Sequence, residues 1–250
     1  MPELPEVETI MRALAARLHG RQIAALVQRR PDLRFPLPER LNERLVGRRL
    51  IGFARRAKYI LAHLDDQHSL VLHLGMSGRL LFDGAPAGPH EHLTFHFDDA
   101  TRLRFVDPRR FGMLDLAPTP QLDAHPRLVG LGLEPLDEAF DGPSLAAALA
   151  GRQGALKLAL MDQRVVVGVG NIYACESLFR ARLSPLRPAG GLRPREAARL
   201  AGAIRAVLRE AIDAGGSSLR DYVQTDGALG FFQDRFAVYG LSGRPCRVCG

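Results

Sequence analysis

The 250 residues are 46% hydrophobic and carry a formal charge of +7, with an isoelectric point near 10.0. No apolar run reaches bilayer-spanning length and no basic segment leads a hydrophobic stretch at the amino terminus, which argues against a membrane helix and an export signal; a soluble, unexported protein is expected. Three cysteines are too few to frame a chain this long with disulfides, so a reducing compartment is the simplest reading. The positive charge is nearly all arginine, which points toward phosphate-rich partners, and the length suits two modest domains with cores of their own.

The chain opens MPELPEVET. Val7, Ile10, Met11, Leu14 and Leu18 recur at the helical period, and proline followed by acidic residues suits a first turn, so a helix begins near Pro5. That helix does not explain Pro2. A small second residue normally permits removal of the initiator methionine, which here would expose a secondary amine. The pattern then changes to period two in YILAHL, SLVLHL, RLLF, HLTFHF and TRLRFV, separated by short polar breaks, as an antiparallel sandwich or barrel requires. Residues 1–128 thus read as a β-rich domain with an amino-terminal helix, and 129–143 as a linker whose hydrophobic residues pack against something. Beyond it SLAAAL, ALKLALMDQ, NIYACESLFRA and PREAARLAGAIRAVLREAIDA read as four helices. A helical domain over 144–236 follows, and FAVYGLSGRPCRVCG, from within which the last segment 237–250 is taken, reads as a strand leading into half of a zinc knuckle.

Several stretches carry chemistry. In VVVGVGNIY, Gly168 and Gly170 precede Asn171. A dinucleotide site is excluded because Tyr173 stands where a third glycine is needed; a glycine turn opening a helix would instead expose N–H groups to a phosphate, with Asn171 as the cap. Arg55, Arg56 and Lys58 precede a strand, as a solvated basic edge, a phosphate contact or a catalytic cation. VDPRRFGM sets Arg109 and Phe111 in an Asp-Pro turn, and LGMSG sets Met76 in another. An aromatic there is either a buried anchor or a wedge for a base stack. Cys246 and Cys249 have knuckle spacing, yet zinc takes a closed set of four ligands and the sequence stops one residue later, so either the rest of the site lies outside it, as is expected, or these thiols are free.

Together MPELPEVET, RRAKY, HLGMSG, DPRRFG, LMDQRVVVGVGNIYACESLF, QTDG followed by FAVYG, and PCRVCG resemble the formamidopyrimidine-DNA glycosylase family along the whole chain. The resemblance implies an α+β fold: an antiparallel β-sandwich with an amino-terminal helix, a helix-two-turn-helix domain and a zinc finger holding one ion. The departure is the second half of that finger, and with it a DNA-contacting arginine. The implied activity is repair of duplex DNA containing oxidised purines, by a monomer in the bacterial cytosol, with base excision and strand cleavage. By resemblance Pro2 is the nucleophile, Glu3 the general acid and base, and Lys58 a phosphate contact that assists near the lesion. Glu6 would support that site. His73, Asn171, Tyr239 and Lys157 would grip the strand backbone. Met76, Arg109 and Phe111 would fill the gap left by the extruded nucleotide, with Arg109 facing the orphaned cytosine, and Gln224–Gln233 would close over the base. An endonuclease VIII-like enzyme acting on oxidised pyrimidines, and a silent binder of damaged duplex, are the alternatives. An RNA-binding module lacks its aromatic strand.

Overall fold

The computed structural model describes residues 1–84, 88–219 and 221–250. Two compact units share the chain. The first comprises Met1–Pro2, Glu6–Val129 and Ser217–Gly230, and the second Glu3–Pro5, Gly130–Gly216 and Phe231–Gly250.

In the first unit helix α1 (Leu4–Leu18) turns Val7, Ile10, Leu14 and Leu18 into the core, as their spacing requires. Strands β1 (Ile23–Gln28), β6 (Glu91–Phe97), β7 (Arg102–Val106) and β5 (Arg79–Phe82) form one antiparallel sheet in the order β1-β6-β7-β5. Strands β2 (Leu50–Arg56), β3 (Tyr59–Leu64), β4 (His68–His73) and β8 (Met113–Pro118) form the other in sequence order. Leu93, Phe95 and Phe105 of one sheet meet Ile60, Leu70, Leu72 and Leu114 of the other in a single core. The sandwich follows from this pairing. A five-residue helix α2 (Leu41–Leu45) adds Leu41 and Leu45. The five strands visible in the sequence are all present, and β1, β2 and β8 join them. β1 buries only Ile23 and Leu26, three positions apart, which no period-two search detects.

The second unit is helical: α3 (Gly142–Leu149), α4 (Leu156–Met161), α5 (Asn171–Arg180) and the long α6 (Pro194–Asp213). Asp141 caps α3 by accepting the Ser144 N–H at 2.8 Å while the Ser144 hydroxyl receives the Asp141 N–H, a reciprocal capping box. Buried Leu200, Ile204, Val207, Leu208 and Ala211 make the inner stripe of α6. Residues 130–143 are more than a tether, for Leu133 exchanges backbone bonds with Val165 and Val167, and Phe140 is buried.

The expected strand after Phe236 is absent. Ala237, Val238 and Tyr239 donate their N–H groups to the buried Glu176 carboxylate at 2.9, 3.0 and 2.9 Å, which curls the backbone into turns instead of a ladder. Segment 217–230 packs with the sandwich although it follows α6: Phe82 N–H bonds to Thr225 O, and Ser217 N–H to Glu6.

Candidate active site

A cavity of about 590 Å³ in the first unit is lined by Met1, Leu33, Arg34, His73, Gly75, Met76, Arg109, Arg110 and Phe111. It collects four residues singled out from sequence, His73, Met76, Arg109 and Phe111. Two loops carry them, and one buried side chain joins the loops: Asp107 accepts the Ser77 hydroxyl at 2.6 Å and the Gly112 N–H at 2.7 Å. The Ser77 oxygen in turn accepts the Arg109 N–H at 3.2 Å. Gly75 is required here, because its φ is +60° and a Cβ would lie 2.3 Å from the Phe111 carbonyl carbon. With its base so fixed, the Phe111 ring is 45% exposed and Met76 37%. Phe111 is therefore no buried anchor. Arg109 reaches Asp221 at 3.1 Å.

His73 ends β4 with its ring 4.9 Å from that of Tyr59. Its Nδ1 accepts the Gly75 N–H at 3.0 Å, which leaves the proton on Nε2. Burial lowers its pKa to about 4, and the charges of Lys58 and Arg34 push the same way. At neutral pH it is a neutral donor. Lys58, in the β2–β3 turn, is only 6% exposed, and Arg55 beside it is buried against Glu8 at 2.8 Å. That disposes of the solvated basic edge for these two residues. Pro2 is buried.

In the second unit the Glu3 carboxylate sits on the first turn of α5, accepting N–H groups of Gly170 at 2.7 Å, Ile172 at 3.0 Å and Tyr173 at 3.4 Å. The helix N-terminus that the sequence offered to a DNA phosphate is thus filled by the chain's own anion, whose negative charge the helix dipole favours. Gly170, rather than Asn171, is the N-cap, and having no side chain it leaves the capping of the first-turn N–H groups to Glu3. Gly170 serves close approach, since a Cβ would lie 2.5 Å from the Glu3 carboxyl carbon. Asn171 is exposed, its amide 3.4 Å from the Tyr239 hydroxyl, so these two come together as a pair. Lys157 lies in the first turn of α4, half-buried. Sequence reasoning missed Ser77, Asp107 and Glu176, which fix the backbone of candidate site residues without standing among them.

Cys246 and Cys249 remain thiols. The Val248 N–H points at the Cys246 sulfur at 3.5 Å, and such backbone bonds lower the Cys246 pKa. Both features suit a zinc-bound thiolate. The pair supplies two of the four ligands zinc takes, and no group of three metal-ligating side chains occurs among the described residues.

A two-sheet sandwich with Met76, Arg109 and Phe111 exposed on its loops, and a helical unit whose glycine turn holds an acidic residue from the amino terminus, have the architecture of the DNA-repair glycosylases of the helix-two-turn-helix class. The formamidopyrimidine-DNA glycosylase N-terminal domain model matches residues 1–114, and the formamidopyrimidine-DNA glycosylase H2TH domain model residues 131–223. The formamidopyrimidine-DNA glycosylase of Acidiphilium cryptum is 55% identical over 249 residues, covering 100% of this chain and 90% of that protein. The MutM (Fpg) protein of Thermus thermophilus superposes with a TM-score of 0.89 at 45% identity, over 100% of this chain and 91% of the other. A Lactococcus lactis Fpg variant in complex with a Fapy-dG-containing DNA gives 0.91 at 34% identity, over 100% and 92%. The chain belongs to the formamidopyrimidine-DNA glycosylase family, enzymes that are both glycosylase and abasic-site lyase.

Proposed function

We propose that the protein removes oxidised purines, 8-oxoguanine and formamidopyrimidines, from duplex DNA through the Pro2 amine and cleaves the strand by β- and δ-elimination. The observation that carries this reading is that Met1 lines the same cavity as His73, Met76, Arg109 and Phe111, so removal of Met1 would open the Pro2 nitrogen beside the residues that replace an extruded nucleotide. Attack of that nitrogen on the sugar C1′ forms a C–N bond as the base departs with the bonding pair. Loss of the amine proton and opening of the sugar at its C1′–O4′ bond, with O4′ taking a proton from Glu3, then give an iminium, which stays cationic because its nitrogen carries no proton to lose. It acidifies the C2′ proton, whose loss expels the 3′ phosphate, and a second elimination expels the 5′ phosphate. Near neutrality an α-amino group is partly unprotonated.

Glu3 protonates the sugar oxygen or base and later moves protons; its three N–H partners hold it in one place for that work. Lys58, His73, Asn171, Tyr239 and Lys157 hold strand phosphates, with the His73 Nε2–H as a neutral donor. Arg109 faces the orphaned cytosine, and the loop Gln224–Gln233 covers the lesion. Cys246 and Cys249 would supply two of the four ligands of one zinc ion, whose part there would be structural. The enzyme acts as a monomer in the cytosol.

Borohydride trapping tests the reading. Protein with Pro2 as its first residue, and a Pro2→Gly variant retaining Met1, are incubated with duplexes carrying 8-oxoguanine opposite cytosine or an oxidised pyrimidine. A covalent adduct chiefly on the 8-oxoguanine duplex, absent from the blocked protein, is expected. A pyrimidine preference moves the protein to endonuclease VIII-like specificity, and no adduct with duplex binding intact makes it a binder only.

A further inference from the structure

Two arginines of the sandwich, Arg34 in the lining of the cavity described above and Arg127 outside it, share one aromatic ring. Arg34 and Arg127 both approach the Phe35 ring, with guanidinium carbons 5.5 and 3.9 Å from its centroid. Stacking on an aromatic face orders a guanidinium while leaving its edge donors available. Both arginines are exposed, and neither has a carboxylate partner among the described residues. Most arginines of the sandwich are otherwise engaged, Arg12 and Arg55 with Glu8, Arg29 and Arg104 with Glu91.

The backbone beneath each is fixed. The Arg34 N–H bonds to Gly112 O at 3.1 Å, which ties its turn to the wedge loop, and Leu37 N–H closes the turn on Pro31 O at 2.9 Å. The Arg127 N–H donates to Nδ1 of buried His125 at 3.2 Å, and the other ring nitrogen of His125 meets Asp115 at 3.1 Å. Both cations also act on a common neighbour: they lower the pKa of Tyr59, which burial raises. Two like charges held on one ring have no counterion among the described residues, and the charge that would complement them is an anion's.

We propose that Arg34 and Arg127 form a phosphate clamp for a DNA strand running past the wedge loops. It rests on the reading that duplex DNA is the partner. The clamp contacts only the backbone, so it contributes equally to damaged and undamaged duplex and carries no lesion preference. Arg34, which also lines the wedge cavity, sets where that strand enters.

The test is the salt dependence of duplex binding by fluorescence anisotropy, with and without 8-oxoguanine. Replacing both residues (Arg34→Ala with Arg127→Ala) is expected to weaken both duplexes about tenfold or more at ~0.1 M salt, and to reduce the slope of log K against log salt by about 2, near 0.9 for each phosphate no longer held. The double Arg→Lys variant keeps the charges and is expected to keep the wild-type slope, which separates removal of the charges from damage to the fold. An unchanged slope in the double alanine variant overturns the clamp while leaving the DNA reading intact. Weakening confined to the damaged duplex overturns it too. Inorganic phosphate at matched ionic strength is expected not to compete; if it erases the difference between wild type and the alanine variant, the pair is a free-anion site and the clamp is wrong. A wild type whose duplex binding ignores salt sinks both readings.

Discussion

The wedge cavity and the start of α5 are built around the same object, a buried carboxylate, and use it differently. Asp107 is the root of two loops and takes one hydroxyl and one N–H, while the side chains it positions, Met76, Arg109 and Phe111, stand in solvent. Glu3 takes the N–H groups of Gly170, Ile172 and Tyr173 and is, in the proposed mechanism, itself the proton-transfer group. A wedge must be exposed to enter a base stack, whereas a proton-transfer group gains from being held in one orientation. The donors differ accordingly. A serine hydroxyl can turn round and accept, but a backbone N–H can only donate.

Amide substitutions break the comparison most sharply. Both oxygens of Glu3 face N–H donors, so Glu3→Gln must set an NH₂ against at least one of them. Trapping is expected to slow by about 10²-fold or more, and the fold to lose about 1–3 kcal/mol. Trapping rate and urea unfolding on the same protein check this; full stability with slow trapping would show that the N–H cradle tolerates an amide and that Glu3 matters only to the chemistry.

At Asp107 the same change should be mild. Asn can keep its oxygen on the Gly112 N–H and present its NH₂ to the Ser77 oxygen, which reverses its own hydrogen. Asp107→Asn is therefore expected to cost about 1 kcal/mol, against about 2–4 kcal/mol for Asp107→Ala, which strands both a buried hydroxyl and a buried N–H. Equilibrium unfolding ranks the two. Equal losses would mean that Ser77 cannot reverse and that both sites are equally intolerant.

These differences mark where the sequence stops being legible. The buried face of α1, the β-rich first half, the long α6 and the loops bearing Met76, Arg109 and Phe111 all follow from local periodicity and turn residues, because each is decided within a few neighbours. The grip on Glu3 is not local: its donors lie 167 to 170 positions away, so Gly170 reads as a phosphate turn until the acid that occupies it is in place. Glu176 is hidden for the same reason, looking like any mid-helix glutamate although it unmakes a strand about 60 residues later. Asp107 announces only a turn, since nothing in DPRRFG names Ser77 as its partner. β8 is missed because MLDLAP buries residues of both faces, ends in proline and so shows no clean alternation, and β2 because its basic end reads as an edge; pairing with β3 and β4 makes both strands.

The smallest effect is expected at the rim of the wedge cavity, where Arg109 pairs with Asp221 at 3.1 Å and both side chains are nearly half exposed. A pair so solvated is worth at most about 1 kcal/mol, so Asp221→Asn should shift stability by less than about 0.5 kcal/mol. Its consequence lies in binding. In the proposed reading Arg109 leaves Asp221 to face an orphaned cytosine, and losing the acid removes that competition along with one negative charge near the strand. Affinity for a duplex with an abasic site opposite cytosine is expected to rise about twofold at low salt, and the gain to vanish near ~0.5 M, where screening already loosens the pair. A gain that survives high salt would point to a packing role for Asp221, and a loss of affinity would mean that Asp221 orients Arg109 for insertion. In that case the wedge, like Glu3, would depend on a carboxylate that touches the working group directly, and the contrast between the two regions would narrow to exposure alone.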